Sequence, residues 1–370
     1  MRIQCHRPSL ATAFQVVSGV VPSRTPREIL KNVKLQAIDG KAVLIGTDQE
    51  VGIRYEIPGV EIESPGETLL PTNRLISILR ELQDEGVNIE VSDGRVMVRS
   101  GQSEFGLSAE DPAEFPEVAA FDAEQYHVVT GEAIQAGIRR TSFATDVEST
   151  RYAMGGILLE LKSDSVALAA TDSRRLAVCH LACRSHGIEE PANPSPVIPA
   201  KAMTLIERSI SDEIEEVLIA VHANDVLIKC GNTTIYSRLV EGRFPKYADV
   251  IPKDPKVTVD LVVAPFYSAV RQAQIVTNEE SRGVDFVFSN GLLTLNSQAA
   301  DIGQSKVELP ISYDGDELAI TFDPRYVAEF LRVLDSEKPL TLSLIDGESA
   351  AVFRTDDAYT YVVMPLSRDR

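Results

Sequence analysis

The sequence predicts an α+β fold of three successive domains, each a doubled β-α-β-β-β unit. Three observations predict it: long-range repeats, frequent hairpin patterns, and two short helical patterns in each repeat. The pairs Thr47-Asp48, Thr171-Asp172 and Asn296-Ser297 each close an apolar run and lie about 125 residues apart. Repeats of this length are whole domains, because solenoid repeats are only about 20–50 residues long. Polar connectors between the repeats place the domains at residues 1–124, 125–254 and 255–370.

Hairpin patterns occur in every repeat. In the first, residues 33–38 alternate between apolar and polar and are joined to 41–45 by Asp39-Gly40. In the third, Asn290-Gly291 joins 286–288 to 292–295. Asp-Gly and Asn-Gly favour two-residue hairpin turns, because both turn positions need a positive φ. Further hairpins are predicted at 88–98, 217–230 and 340–353.

Each repeat also carries two helical patterns. Leu75, Ile78, Leu79 and Leu82 illustrate the spacing, which places apolar side chains on one helix face. Thr72 and Asp323 have the side chains that helix N-caps prefer. The predicted helices span residues 9–17, 72–82, 132–143, 200–209, 265–275 and 324–334.

The composition is that of a soluble globular chain. Of the 370 residues, 44% are hydrophobic and 25% are charged, which suffices for the cores of several domains. No apolar run approaches the roughly 18–20 residues of a membrane helix, and the first residues lack the apolar stretch of a signal peptide. The four cysteines are too scattered for a disulfide framework or a zinc site. We therefore expect reduced thiols, a cytoplasmic location and no membrane partner.

Charge is distributed unevenly along the sequence. The net charge of −19 argues against simple coating of nucleic acid, because such binding depends on Lys and Arg neutralising phosphates. The six predicted helices nevertheless carry nine basic residues against four acidic ones. If these helices line one surface, that surface attracts a polyanion while the rest of the protein repels it. The basic residues are Arg74, Arg80, Arg139, Arg140, Lys201, Arg208, Arg271, Arg325 and Arg332.

Enzyme patterns are weak. Asp48 and Asp172 occupy equivalent positions in separate repeats, directly after a strand, where an Asp usually forms a turn. The five histidines lack the spacing of a catalytic or metal site, and no phosphate-binding glycine motif occurs. Cys179 has no flanking nucleophile signature. We therefore predict no catalytic residue, no metal and no cofactor.

Several segments resemble a known family. Residues 170–177, 241–247 and 361–366 are similar to the bacterial DNA polymerase III beta subunit, the sliding-clamp family, and 46–50, 98–101 and 278–284 agree with it. The resemblance runs over essentially the whole chain. It implies a head-to-tail homodimer of three-domain crescents that closes a ring around duplex DNA, with helices inside and sheets outside. It also implies a non-catalytic processivity factor for DNA replication, bound to the polymerase holoenzyme at the bacterial replisome and nucleoid.

The resemblance implies a peptide-binding pocket between the second and third domains. In the family this pocket receives short tails that carry Leu and Phe. The partners implied are the replicative polymerase catalytic subunit, the clamp loader, translesion polymerases, mismatch-repair proteins and ligase. The matching positions are Met154, Thr171, Arg175, Leu176, Pro245, Val250, Val362, Val363, Met364, Pro365 and Leu366.

Two further surfaces are implied in the same way. One faces double-stranded DNA without reading its sequence, and the other is the dimer interface. The DNA-facing positions are Arg24, Arg74, Arg80, Tyr152 and Lys201. The interface positions are Phe105, Leu107, Ile275 and Val276.

The chain departs from the family pattern at the pocket, and one rival interpretation stays open. Ser173-Arg174 stands where the family usually has Gly-His, Asp249 lies at the rim, and 367–370 extends the usual end. These departures affect the preference for partner tails. The rival is a β-rich adaptor that binds peptide tails but encloses nothing. The basic helices are the feature that speaks against the adaptor.

Overall fold

The chain folds into three similar domains in a computed structural model that describes residues 1–92, 94–108, 110–146, 148, 153–188, 195–278 and 282–367. The N-terminal domain contains β1 (Arg2–His6), α1 (Arg7–Ser18), β2 (Asn32–Ile38), β3 (Lys41–Thr47), β4 (Val51–Glu56), β5 (Glu61–Ser64), β6 (Gly66–Pro71), α2 (Thr72–Glu81), β7 (Gly86–Ser92), β8 (Arg95–Ser100) and β9 (Ser103–Ser108).

The other two domains repeat this order of elements. The central domain contains β10 (Tyr126–Thr130), α3 (Gly131–Ser142), β11 (Gly156–Leu161), β12 (Ser165–Thr171), β13 (Arg175–Ala182), β14 (Arg184–His186), β15 (Val197–Pro199), α4 (Ala200–Ser209), β16 (Glu216–Val221), β17 (Asp225–Cys230) and β18 (Thr233–Arg238). The C-terminal domain contains β19 (Val257–Val262), α5 (Val263–Ala273), β20 (Val284–Ser289), β21 (Leu292–Ala299), β22 (Gly303–Pro310), β23 (Leu318–Phe322), α6 (Pro324–Arg332), β24 (Pro339–Leu344), β25 (Ala351–Thr355) and β26 (Tyr359–Val363).

The strands form four antiparallel sheets, and two of these sheets cross domain boundaries. The nine-stranded sheet has the order β14-β10-β16-β17-β18-β4-β3-β2-β6, and the eight-stranded sheet has the order β15-β11-β12-β13-β26-β25-β24-β19. The five-stranded sheet β5-β1-β7-β8-β9 lies in the N-terminal domain, and the four-stranded sheet β22-β21-β20-β23 lies in the C-terminal domain. The domains are therefore joined through continuous backbone pairing.

We call the junction of β4 and β18 the N–central seam, and the junction of β13 and β26 the central–C seam. Ile235 lies opposite Ile53 in the first, and Tyr361 lies opposite Ala177 in the second. Ile53 and Ala177 occupy the same position in their repeats. On its other side each also pairs with an equivalent residue, Ile53 with Gly46 and Ala177 with Ala170. The two seams thus share one register, as expected when the same domain is used again.

Each domain packs two helices against the inner face of its sheets. The helices contact each other in the pairs α1–α2, α3–α4 and α5–α6. Leu10, Phe14 and Val17 show how α1 turns its apolar side toward the core, where they are fully buried. Side chains alternate between the two faces of a strand. Leu168 accordingly joins this core, while Ala169 belongs to a smaller cluster on the outer face.

The predicted elements agree with the structure apart from details at the helix ends. Asp39 and Gly40 both have positive φ, as the two-residue turn between β2 and β3 requires. Helix α1 begins at Arg7, two residues earlier than predicted, and so carries a charge that the helix count omitted. Asp323 accepts a hydrogen bond from the Arg325 amide and caps α6 as predicted. The prediction for Thr72 was wrong, because its hydroxyl donates to the Lys31 carbonyl oxygen, at 2.8 Å, instead of capping α2.

The structure contains no helix, among the residues it describes, with the length and apolar character needed to cross a membrane.

Candidate functional site

The outer face of the central–C seam carries an apolar cluster. Leu176 from β13 and Val362 from β26 lie directly opposite each other in it. The segment that links the central and C-terminal domains covers the cluster with Phe244 and Tyr247, whose rings meet edge to face. The Tyr247 hydroxyl donates to Glu160 at 2.6 Å, which holds the cover on the sheet. The cluster therefore forms a rigid apolar floor.

Exposed apolar side chains follow residues of this floor in the chain. Val250 is 60% exposed and Met364 is 48% exposed, although both are hydrophobic. Pro245 and Pro365 are half-buried, and so is Leu366. Exposed apolar surface next to a buried cluster is the arrangement that binds apolar side chains of a partner.

A polar turn positions the β13 end of the site. The Thr171 hydroxyl donates to the Arg175 carbonyl oxygen at 2.7 Å, and Asp172 Oδ1 accepts the amides of Arg174 and Arg175, both at 3.0 Å. Ser173, which lies between Asp172 and Arg174 in this turn, has a φ of 70°. The turn then receives the C-terminal segment, because the Met364 amide donates to the Arg174 carbonyl oxygen at 2.8 Å. Asp172 thus acts as a turn former, as the sequence suggested.

Not all predicted pocket residues meet at this surface. Met154 is buried, at 6% exposure, just before β11. Val363 is fully buried in the main core, on the other face of β26 from Val362. Leu366 extends away along the C-terminal domain, where its amide donates to the Thr321 carbonyl oxygen at 2.8 Å.

Arg175 lies on the helix side of the sheet, opposite to its neighbour Leu176. Its side chain is 8% exposed and forms ion pairs with Asp172, at 3.0 Å, and with Glu329 of α6. It also donates to the Phe143 carbonyl oxygen at 2.5 Å, and its guanidinium carbon lies 4.6 Å from the centre of the Tyr326 ring. Arg175 therefore ties the central domain to the C-terminal domain beneath the apolar floor. The single-residue alternation of a strand explains why it does not join the outer surface.

The predicted DNA-facing residues differ in their surroundings. Arg74 and Arg80 on α2 and Arg24 after α1 are exposed and form no ion pair with any residue the structure describes. Lys201 at the start of α4 is bound to Asp48 of the N-terminal domain, an ion pair across the N–central seam. Tyr152 lies outside the described residues.

The positive surplus on the helices is smaller than their sequence suggested, because several cations are paired. Arg139 binds Glu207 at 2.7 Å, and Arg140 binds Asp357 at 2.6 Å. Arg325 binds the buried Asp323 at 2.6 Å. Within the described ranges, the helix cations that form no ion pair are Arg7, Arg74, Arg80, Arg208, Arg271 and Arg332.

The predicted interface residues lie in the N-terminal and C-terminal domains. Phe105 and Leu107 are half-buried on β9, the edge of the five-stranded sheet. Ile275 is 75% exposed and precedes the half-buried Val276, in a short turn after α5 that contacts β22, the edge of the four-stranded sheet. Among the described residues, the two sets belong to different sheets, and no strand pairing joins β9 to β22.

Thiol and metal chemistry find little support among the described residues. The four cysteines are all buried and free. Burial raises the pKa of Cys5 and Cys230 to about 12, so both stay protonated thiols at neutral pH. In the same part of the chain, no group of His, Cys, Asp and Glu side chains has the geometry of a metal site.

Sequence reasoning missed two residues near the site. The Tyr326 hydroxyl accepts from the Arg174 guanidinium at 3.4 Å, and Glu329 is the ion-pair partner of Arg175. Both lie on α6, more than one hundred residues from the turn they support. The spacing of Tyr326 and Glu329 by about one helical turn indicates that both lie on one face of a helix. Nothing in the sequence indicates that this face contacts Arg174 and Arg175 across the central–C seam.

The geometry agrees with known proteins over the whole chain. Family models described as the N-terminal, central and C-terminal domains of the DNA polymerase III beta subunit match residues 1–119, 128–246 and 248–367. The beta sliding clamp of Pseudomonas putida is 30% identical over 373 residues, which cover 99% of this chain and all of the relative.

Solved structures show the same similarity. The DNA polymerase III subunit beta of Pseudomonas aeruginosa has a TM-score of 0.92 at 29% identity, with both chains fully covered. A sliding clamp of that organism bound to griselimycin gives a TM-score of 0.90, also at 29% identity and full coverage of both chains. The chain therefore belongs to the DNA polymerase III beta subunit family, the family of the beta sliding clamps.

Proposed function

We propose that two copies of this chain close a head-to-tail ring around duplex DNA and hold a polymerase on it. The observation that carries the proposal is the shared register of the two seams. In each seam the last strand of one domain, β18 or β26, pairs with the third strand after the first helix of the domain before it, β4 or β13. By the same repeat, β9 is the counterpart of β18 and β26, and β22 is the counterpart of β4 and β13. Only a second copy can supply β22 to β9.

The repeat also predicts the register of this third seam. Ile235 and Tyr361, which face Ile53 and Ala177, correspond to Phe105. Ile53 and Ala177 correspond to Val307, which pairs with Leu295 in the same way as they pair with their own neighbours. Phe105 then faces Val307 of the partner subunit, and Leu107 faces Ser305 of the partner subunit. The exposed Ile275 and the adjacent Val276 would be covered beside this seam, as the resemblance implies.

Disulfide trapping tests the ring and its register together. Directly opposite strand residues are close enough for a disulfide, with Cα atoms about 4.5–5.5 Å apart. A chain carrying Phe105→Cys and Val307→Cys should form a covalent dimer on mild oxidation, while native thiols stay buried. The matched control, Phe105→Cys with Leu309→Cys, is two residues out of register and should cross-link much less. A wild-type mass near 40.4 kDa, rather than twice that value, at all concentrations would contradict the ring.

We propose that DNA is enclosed rather than gripped. The exposed Arg24, Arg74, Arg80 and Arg208 leave a modest positive surplus on and beside the helices, while the whole chain is acidic. Contacts to phosphates read no sequence and exchange readily, so a ring can slide. Lys201 and the undescribed Tyr152 are proposed to add to this surface.

Retention on circular and linear DNA tests enclosure. A loaded ring should persist on a closed circle and be lost from free ends. Arg74→Glu combined with Arg80→Glu should lower loading and processivity in a salt-dependent way, because both are exposed and unpaired. A control is Arg238→Glu, which changes another exposed arginine, paired with Glu50, on β18 outside the helices. Equal loss from circles and linear DNA would favour the adaptor interpretation.

We propose that the outer surface of the central–C seam binds Leu- and Phe-bearing tails of partner proteins. The buried floor of Leu176 and Val362 and the exposed Val250 and Met364 support this assignment. Arg175 and Val363 would act from beneath by holding the two strands in place. Burial of each apolar anchor contributes about 1.5–3 kcal/mol, which leaves about micromolar affinity after the ordering costs.

Met364→Glu tests this site with a peptide that carries Leu and Phe. The substitution places a charge on the exposed apolar rim, so affinity should fall at least tenfold. The control is Val262→Glu, because Val262 is also an apolar residue with 47% exposure but lies on β19. Equal affinity of the two variants would contradict the site.

The finer expectations rest on family membership. We propose the polymerase catalytic subunit, clamp loader, translesion polymerases, mismatch-repair proteins and ligase as partners, a cytoplasmic location at the replisome, and an accessory role without catalysis or cofactor. We also propose domain boundaries after residues 124 and 254, which lie just before β10 and β19.

A further inference from the structure

A ladder of alternating charges crosses the outer face of the N-terminal sheet. Arg2 of β1 binds Glu90 of β7 at 2.8 Å, Glu90 binds Arg99 of β8 at 2.7 Å, and Arg99 binds Glu104 of β9 at 2.8 Å. Each contact joins neighbouring strands of one sheet. The ladder therefore ends with a carboxylate on the free edge strand.

The edge strand β22 of the C-terminal domain also carries charge. Lys306 and Glu308 point to the outer face of β22 and bind each other at 2.5 Å. The side chains are 64% and 48% exposed. One basic and one acidic side chain are thus exposed on the strand that would pair with β9.

The repeat register brings these two charged edges together. When Phe105 faces Val307 of the partner subunit, Glu104 lies opposite Glu308 of the partner subunit. Lys306 of the partner subunit is then the diagonal neighbour of Glu104, within the reach of a long side chain. Like charges directly opposite on a sheet destabilise the pairing, while opposite charges stabilise it.

The two seams within the chain carry no such conflict. The corresponding outer-face pairs are Thr234 with Arg54, and Thr360 with Val178. The like-charged pair therefore occurs only at the seam that has to form between separate chains. This contrast is a property of the side chains, since the register is the same.

We propose that Lys306 sets the strength of the intersubunit seam by bridging Glu308 of its own strand and Glu104 of the facing chain. This inference rests on the proposed ring. Lys306 neutralises the contact between two carboxylates that would otherwise repel each other. Glu104 is already bound to Arg99 of its own sheet, so Arg99 and Lys306 together balance the two carboxylates, and loss of Lys306 would leave one of them uncompensated at each seam.

The test is a mutant cycle on the full chain, with the dimer dissociation constant measured by analytical ultracentrifugation. Lys306→Gln should weaken the dimer about three- to tenfold, because exposed charge contacts are weak but the symmetric ring contains the change twice. Glu104→Gln should tighten it or leave it unchanged. The double variant should return close to wild type, which a merely additive loss would not do. At about 1 M salt the differences should largely disappear, because charges are screened within about 3 Å.

The control variant is Lys41→Gln. Lys41 is 63% exposed and pairs with Glu56 at 3.1 Å, but it lies on β3, away from either free edge. Its dimer should dissociate as the wild type does. If wild type dimerises and Lys306→Gln behaves like Lys41→Gln, this inference fails while the ring stands. If wild type stays monomeric throughout, the ring itself fails.

Discussion

The two seams within the chain use the same backbone design but different side chains. At the N–central seam the Arg238 amide donates to the Glu50 carbonyl oxygen at 3.0 Å, and at the central–C seam the Met364 amide donates to the Arg174 carbonyl oxygen at 2.8 Å. The turn before each acceptor contains one residue with positive φ, Gln49 in the first and Ser173 in the second. The repeat therefore duplicates the scaffold down to single hydrogen bonds.

The rims of these two seams differ in polarity. At the N–central seam Arg238 forms an exposed ion pair with Glu50 at 3.7 Å. The equivalent of Arg238 at the central–C seam is Met364, which is about half exposed, with the exposed Val250 beside the same surface. A charged rim stays hydrated, while an apolar rim favours burial by a partner. A few rim residues thus distinguish a plain junction from a candidate binding site.

The helix-facing sides of the seams differ as well. Val51 at the N–central seam is buried among apolar side chains, and its counterpart is Arg175, which is held by two carboxylates and two aromatic rings. A buried cation requires this full set of partners, because an unpaired buried charge is strongly destabilising. The central–C seam therefore depends on a polar network, and the N–central seam on packing.

The largest effect should come from Arg175→Met, which leaves Asp172 and Glu329 without their cation. We expect a loss of about 3 kcal/mol in the free energy of unfolding, toward the low end for a broken buried pair because Glu329 is partly exposed. Calorimetry combined with amide exchange in β13 and β26 measures it. The counterpart, Val51→Ala, should cost about 1.5 kcal/mol through lost apolar burial and affect β4 and β18 instead. Equal losses at both seams would remove the contrast.

Exchanging the rims should have the next largest effect. Met364→Arg with Arg174→Glu gives the central–C seam the charged rim of the N–central seam, and should weaken binding of a Leu- and Phe-bearing peptide about tenfold or more. Fluorescence anisotropy with a labelled peptide measures the change. The reverse exchange, Arg238→Met with Glu50→Arg, should leave affinity at the central–C seam unchanged. An equal loss from both exchanges would show that the rim does not determine binding.

A smaller difference between domains should appear as a pH dependence. His127 of β10 is buried where the N-terminal domain has Ile3, and each faces an isoleucine on the next strand. Burial lowers the pKa of His127 below its usual value, so its protonation opposes folding. The wild type should lose stability as the pH falls below about 6.5, toward the lowered pKa. His127→Ile should flatten this slope in denaturant titrations between pH 7.5 and 5, and an unchanged slope would assign it to other groups.

The smallest effect should come from Asp48→Asn at the N–central seam. The substitution removes the ion pair with Lys201, while the Asn oxygen can still accept the turn amides of Glu50 and Val51. Lys201 is about half exposed, so the stability change should stay within about 1 kcal/mol. Thermal unfolding measures it, with Lys41→Gln as a control for loss of an exposed ion pair elsewhere. A loss as large as that of Arg175→Met would show that this seam also depends on a polar contact.

Local patterns were sufficient to predict most of the secondary structure. The Asp39-Gly40 and Asn290-Gly291 turns, the Asp323 cap and the span of α4 follow from preferences that act within a few residues. Thr72 failed because a tertiary acceptor, the Lys31 carbonyl oxygen, competed for its hydroxyl. Such competition between distant groups leaves no local signature.

The sequence by itself determined the threefold period, the hairpins and helices, and the acidic composition with basic helices, because these depend on residue order and short-range backbone preferences. The pairing of β4 with β18 and of β13 with β26 was decided only in three dimensions, since each joins strands far apart in the chain. The same holds for the burial of Arg175 beneath the floor and the pairing of Lys201 with Asp48. Which face a side chain occupies, and which charge it meets there, depends on how the sheets are assembled.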